Sequence, residues 1–413
     1  MDQAEQDDRR PHDLVVWGAT GYTGRLVALA TARSIGDRPW AVGGRSRERL
    51  ERLRAEIADL GGRVPEVVVA SIDDADSMHA MTGGARVVLT TVGPYDLHGE
   101  PLLQAAIATR THVADITGEV PWVRRMRTRH ETSARAAGIR IVSMCGYDSV
   151  PSELGVRLLQ QAAVESHGRP ARRVETGVGP IRGGFSGGTA ASAMNMAEQL
   201  GEAEIRDGLA GPWSLCVAPP PSPVSLAADT VLVRRSTVLH EWTAPFIMSG
   251  VNTAVVHRTH ELLGRPWGDA FEYRERSTTG AGFRGWLRAC GLTLASGAVA
   301  AMIVVPPIRW FARRWVLPKP GQGPSETQLR DGFVRHRTVA EDPPVAVTFE
   351  VDMDPGYAAT ARMLLACGMA LLEDDVDEAI EDSFCTPGSL FGPRLRPRLE
   401  SMGFRISIST DPA

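Results

Sequence analysis

Residues 14–24 read LVVWGATGYTG: four apolar residues, then Gly18-Ala-Thr-Gly21-Tyr-Thr-Gly24, then the start of a helical pattern. A short apolar run is a buried strand, and glycines in the turn that follows permit a tight bend, close approach of backbone to a pyrophosphate, and close packing of helix on strand. The helix N-terminus adds free N–H groups and a positive dipole end. The spacing is G-x-x-G-x-x-G, and its context of strand, turn, helix and second strand marks a dinucleotide site rather than an ordinary strand-to-helix turn. Gly18, Thr20, Gly21, Tyr22, Thr23 and Gly24 are the expected contacts.

Outward from this turn the same rhythm repeats. Strands are expected at 14–17, 40–43, 66–71, 86–92, 111–115 and 139–143, with helices at 24–34 and 46–60 between the first three. Short apolar strands alternating with helices imply a parallel sheet covered on both faces. The fold class is therefore α/β, an N-terminal Rossmann-type doubly wound parallel sheet over 13–150, preceded by a flexible polar tail at 1–12. After Pro151 glycine and proline become frequent and strands alternate, as in Val345, Val347, Phe349 and Val351, so 151–342 reads as a second, α+β domain for substrate or oligomerisation. The tracts 218–223 (APPPSP) and 317–325 (LPKPGQGPS) read as loops. A strand and a clear helix at 357–372 fill 343–413, and the sequence leaves open which domain they join.

The second strand ends WAVGGRSR at 40–47, with no carboxylate to accept a ribose 2′-hydroxyl. Arg45 and Ser46 suit a 2′-phosphate, because a guanidinium fork matches phosphate oxygens. NADP(H) is thus the expected cofactor; the alternative for Arg45 is the solvated start of an Arg/Glu helix. Further strand ends should line the same crevice: Asp73 towards the adenine, and Val92, Gly93 and Pro94 beneath the nicotinamide ribose. Asp115, Thr117, Ser149 and Ser152 read equally well as helix caps or turn formers.

Composition narrows the chemistry. The 413 residues carry a net charge of −4, so no basic field gathers nucleic acid. Of 45 basic residues only Lys319 is lysine, and no tyrosine lies four positions before it, which removes the Tyr-x-x-x-Lys pair of short-chain dehydrogenases. Five scattered cysteines without a Cys-x-x-Cys point away from disulfides and zinc and towards a reducing, cytoplasmic compartment. His257 and His260 lie one helical turn apart with no third ligand in sequence; they read as solvated helix surface, and no metal is expected.

The series GATGYTG, GGR, TVGPY, TGE, GYDSVPSELG, SGGTAAS, PKPGQGPS, DPGYAATARMLL and CTPGSL resembles, in that order, the saccharopine dehydrogenase-like oxidoreductases, in particular the actinobacterial trans-acting enoyl reductases. The resemblance runs from Asp13 to about Gly403. It implies a Rossmann-type domain followed by a larger α/β domain and NADPH as hydride donor. It also implies reduction of the α,β-double bond of an acyl chain held on a polyketide synthase carrier, within lipid and glycolipid assembly. Some members associate with lipid bodies and membranes. Where the family usually has GFDS, this chain has Gly146-Tyr147-Asp148-Ser149.

Enoyl reduction needs a hydride at the β-carbon, support for an enolate oxygen and a proton at the α-carbon. Tyr95, at a strand end, is the first choice of proton donor, with Tyr147 the second and Asp148 orienting a donor; Tyr95 packing against the crevice is the plain alternative. Gly183 to Thr189 forms a second glycine-rich turn, read as a loop with Thr189 as helix cap. Residues 289–308 carry no charge, and Trp310, Phe311, Arg313, Arg314 and Trp315 follow. An internal helix or acyl-tunnel lining is the preferred reading of that run, ahead of surface membrane attachment and of a span. A homodimer stays open. Two competing functions remain: an amino-acid or imine oxidoreductase, and a nucleotide-binding lipid-surface protein without catalysis.

Overall fold

The run Leu14, Val15, Val16 is wholly buried because its strand is covered on both faces. In the computed structural model, which describes residues 10–183, 187–199, 201–202, 205, 211–220, 232–315 and 323–411, that strand is β1, His12–Trp17. It is followed by β2 Trp40–Gly44, β3 Glu66–Val69, β4 Ala85–Thr90, β5 His112–Asp115 and β6 Ile141–Val142. These pair in parallel in the order 3-2-1-4-5-6, the doubly wound arrangement, and β13, Phe384–Cys385, adds a seventh parallel strand beside β6. The chain divides into two units, Met1–Gly146 with Tyr357–Phe391, and Tyr147–Gly356 with Gly392–Ala413.

The helix expected at 357–372 therefore belongs with the first sheet. It opens with one wide turn, Pro355–Ala359, continues as Thr360–Leu372, and packs on β4 and β5 and on the helix Tyr22–Ser34. It is apolar nearly all round because it is buried nearly all round. Gly368 permits this approach: a Cβ there would lie 2.6 Å from Leu89 Cδ2.

The second unit holds β7 Arg173–Arg182, β8 Arg234–Arg235, β9 Trp242–Pro245, β10 Glu272–Gly280, β11 Phe333–Ala340, β12 Val345–Val351 and β14 Phe404–Ser409. They form one sheet in the order β14-β12-β11-β7-β10-β9-β8, in which β7 and β10 run parallel and the other pairs antiparallel. The alternation in β12 places Val345, Val347, Phe349 and Val351 in the core. The helix Val150–His167 covers β11 and β12, and Gly155 is small because a Cβ there would come within 2.6 Å of Thr338 Oγ1.

Two expectations are corrected here. The apolar run 289–308 is not internal: it lies in the helix Gly282–Val304, where only Gly285 and Ala289 are buried, and in the helix Pro306–Trp315. His257 and His260 are not solvated. Their helix, Ser249–Leu262, is enclosed, and both rings pack among Trp213, Trp267 and Phe271. Burial holds them neutral, at about 3 and about 4. The turn 183–189 falls partly outside the described residues, as does Lys319; the helix beyond the turn starts at Gly187, so Thr189 sits inside it rather than at its cap.

The turn after β1 explains its glycines. Gly18 has φ +82, a conformation side chains rarely adopt, and a Cβ at Gly24 would stand 2.1 Å from the Gly18 carbonyl oxygen. That oxygen is backbone and has no rotamer to escape into. Gly24→Ala is expected to destabilise the protein by about 3 kcal/mol. Denaturant unfolding checks this, and a neutral result would mean that the helix Tyr22–Ser34 can slide on the strand.

Candidate functional site

The first helix, Tyr22–Ser34, begins at Gly21 with no side chain capping its N–H groups and no acid in its first turn. Uncapped donors, a positive helix end and a backbone that tolerates no Cβ are what a pyrophosphate requires, so the residues fit a dinucleotide. Gly21 N–H closes the turn on Gly18 O at 2.9 Å. Tyr22 stands edge-on to Tyr357, with ring centroids 5.3 Å apart. Thr20 turns its carbonyl to Arg49, which donates to it at 2.8 Å. Val92, just past β4, touches the same turn: its Cγ2 is 2.6 Å from where a Gly18 Cβ would be. The ends of β1, β2 and β4, adjacent in the sheet, thus bring together the glycine turn, Arg45 and the Val92-Gly93-Pro94 stretch.

Arg45 is exposed, one residue beyond β2. Ser46 caps the helix Arg47–Asp59, its Oγ accepting from Arg49 N–H at 3.4 Å, which leaves its own hydroxyl proton free to donate outward. Asp73 is exposed at the turn after β3, and the neighbouring Asp74 caps the next helix. Sequence reasoning missed Arg49. It lines a cavity of about 260 Å³ with Ala19, Thr20, Arg25, Arg52 and Glu56, beside the glycine turn. Its signal was its place in the first turn of the helix that follows β2, three residues after the Ser46 cap. Arg25 in that cavity is paired with Glu56.

Tyr95 is corrected. Its hydroxyl donates to Thr90 O at 3.0 Å and accepts from Ile116 N–H at 3.4 Å, and its ring packs on Trp122 within the apolar core. Burial, then the charge of Asp115, raises the phenol well above its usual pKa. The Tyr95 hydroxyl thus ties the end of β4 to the turn after β5. Glu119 accepts from Tyr95 and Asp96 N–H, each at 2.9 Å. Asp115 accepts from Thr117 N–H and from the Ser143 hydroxyl, and burial raises its carboxyl to about 6. The TGE motif is thus a set of turn clamps.

The second unit carries a different polar cluster. Tyr147 lies 3.1 Å from His336 Nε2 through its hydroxyl, with the rings edge-to-face at 5.5 Å. Burial, followed by Glu275, Asp148 and Asp354, keeps the phenol protonated, while burial holds His336 neutral at about 3. Burial also raises Asp148 to about 6. Glu275 accepts from Asn252 Nδ2 at 2.7 Å and from the Ser152 hydroxyl, and Ser149 donates to Asn252 Oδ1 at 3.3 Å. His336 sits on β11 and Glu275 on β10, joined only through β7 between them; no local motif announces them. Among the described residues no group of three metal-ligating side chains occurs.

Residues 14–142 match the family model described as the saccharopine dehydrogenase NADP binding domain. Over 96% of this chain and 100% of its own, the apo saccharopine dehydrogenase (L-Glu forming) of Saccharomyces cerevisiae superposes with a TM-score of 0.50 at 11% identity, a likeness of fold. Residues 14–142 are thus an NADP binding domain of the saccharopine dehydrogenase type, in a chain with the saccharopine dehydrogenase fold. A trans-acting enoyl reductase of Mycobacterium leprae is 32% identical, covering 97% of this chain and 99% of its own. One of Mycobacterium ulcerans is 30% identical over 97% and 98%. The chain belongs to the trans-acting enoyl reductase family.

Two outcomes follow from this geometry. Arg45→Ala should weaken NADPH binding at least ~tenfold and leave NADH unchanged, read by nucleotide fluorescence titration; equal NADPH affinity would remove Arg45 from the 2′-phosphate. The second concerns Glu275, whose carboxyl is raised by burial to about 7 from 4.5. Between those values the folded chain binds the extra proton, so the stability tied to this group is present at low pH and is lost as pH rises through about 7. Glu275→Gln should therefore raise stability by roughly 1–3 kcal/mol at about pH 8 and change it little at about pH 4.5, measured by denaturant unfolding at both.

Proposed function

We propose that this oxidoreductase reduces the α,β-double bond of an acyl chain carried as a thioester, on a polyketide synthase carrier domain, in lipid or glycolipid assembly. The observation that carries this reading is the end-to-end match to relatives named trans-acting enoyl reductase, 32% identical across 97% of the chain. That name supports a substrate brought by a separate protein. Five free cysteines support a reducing, cytoplasmic setting.

NADPH, when bound, supplies the hydride for the β-carbon. Arg45, Ser46 and Arg49 hold the adenosine phosphate, the glycine turn Gly18–Gly24 holds the pyrophosphate, and Val92-Gly93-Pro94 supports the ribose end, with Asp73 towards the adenine. The proton for the α-carbon is assigned to Tyr147. Its phenol keeps its proton across the physiological range, and a neutral His336 carrying its proton on Nε2 donates to the phenol oxygen and so positions it without taking the hydroxyl proton. As the enolate oxygen gains charge, a protonated phenol stabilises it by hydrogen bonding and then gives up the proton, which a carbon base far stronger than phenolate takes readily. Asp148, one residue on, orients this donor and contributes charge only above about pH 6.

The test is steady-state NADPH consumption with an enoyl thioester. Tyr147→Phe should lower kcat by ~10²-fold or more with NADPH affinity unchanged, the scale of a lost general acid. Tyr95→Phe should leave kcat alone and lower stability by about 1 kcal/mol, the worth of a buried hydrogen bond. Unchanged turnover in Tyr147→Phe would remove it from the chemistry. Turnover of an amino acid in place of the enoyl thioester would replace the substrate class.

A further inference from the structure

The second unit displays an apolar surface that its own fold does not cover. The helix Gly282–Val304 leaves β10 directly, rests on β9 and β10, where Gly285 is buried against the Gly280 carbonyl, and meets the helix Gly187–Glu198, whose Glu198 pairs with Arg309 at 3.9 Å. Beyond Ala289 no residue of it is buried; Leu294 is 76% exposed. The next helix, Pro306–Trp315, shows Trp310 and Trp315, each 70% exposed, and Phe311 at 54%. Exposed apolar residues in a contiguous stretch of this kind mark an interaction surface.

Charge selects the partner. From Arg276 to Ser325 the sequence has no Asp or Glu, while Arg284, Arg288, Arg309, Arg313, Arg314 and Lys319 lie along it, in a chain whose net charge is −4. Aromatic and basic residues beside an apolar helix are the composition of a segment lying at a membrane–water boundary. A twofold contact between two copies would set this cation-only stretch against itself, which is repulsive.

Topology excludes a simple span. The helix starts from β10 and the chain returns into β11, and both strands pair with β7 in one sheet. A single crossing would put β11 on the far side of the bilayer from its own neighbour. The return leg over 305–332 carries Arg309, Arg313, Arg314, Lys319, Glu326, Arg330 and Asp331, which hydrocarbon does not accept. We propose that the helices Gly282–Val304 and Pro306–Trp315 form a one-sided dock for an anionic phospholipid bilayer, entering and leaving from the same face. The dock is independent of the reductase reading.

Flotation of the full chain with vesicles tests it. Wild type should float with phosphatidylcholine–phosphatidylglycerol vesicles at least ~tenfold more than with phosphatidylcholine alone, and high salt should abolish the difference. R313E with R314E should weaken binding roughly twentyfold, and Trp310→Ala with Trp315→Ala at least ~tenfold. Both pairs should bind NADPH as wild type does, which reports intact folding. No flotation with anionic vesicles overturns the proposal, as does flotation unchanged in both variants. A wild-type dimer that the tryptophan pair dissociates, without vesicle binding, overturns it in favour of a contact between copies.

Discussion

The first unit depends on one contact: the carbonyl of Gly18 lies so near the Cα of Gly24 that no side chain fits between them. This sets the helix Tyr22–Ser34 hard against the end of β1. No side chain caps the N-terminus of that helix, and an uncapped helix N-terminus is suited to an anion. Around that point the sheet order brings β2 and β4 to either side of β1, and with them Arg45 and Val92. The nucleotide site is a consequence of strand order acting on one tight turn.

How much of this could be read from residues varied with the range of the cause. The six strands before residue 146 announced themselves as short apolar runs, because a strand buried on both faces has no polar side to show. The seventh, Phe384–Cys385, is two residues long and carries no pattern; it exists because β6 has a free neighbour position. The strand pattern placed Arg45 at the end of β2, whereas only the folded helix brings the Arg49 side chain back to Thr20. Tyr95 ranked above Tyr147 in sequence because it ends a strand; the structure gives the Tyr95 hydroxyl two backbone partners and brings an imidazole to that of Tyr147. His336 and Glu275 stood outside every motif, since their proximity to the GYDS stretch is made by pairing across β7.

The apolar run 289–308 shows the limit of composition. Alanine, glycine and valine fill core helices and interfacial helices alike, and the residues themselves do not say which faces find a partner. Gly285 and Ala289 bind the start of the helix to the sheet, and beyond them no residue of the helix is buried. The histidines on Ser249–Leu262 erred in the opposite direction: polar in name, they are enclosed by aromatic rings and stay neutral.

The return of residues 357–391 to the first unit has a consequence for how the protein is made. A chain leaves the ribosome from its N-terminus, and domains that are contiguous in sequence can finish folding as they emerge. Here the sheet that holds the glycine turn lacks its covering helix, Thr360–Leu372, and its last strand, Phe384–Cys385, until residues 147–356 of the second unit have been synthesised. The second unit has the same dependence, because β14 arrives last of all. Until then β6 presents an unpaired edge and β4 and β5 an uncovered apolar face, both prone to association. While residues 147–356 are being made, the newborn chain thus carries two unfinished sheets, and β13 completes the first before β14 completes the second.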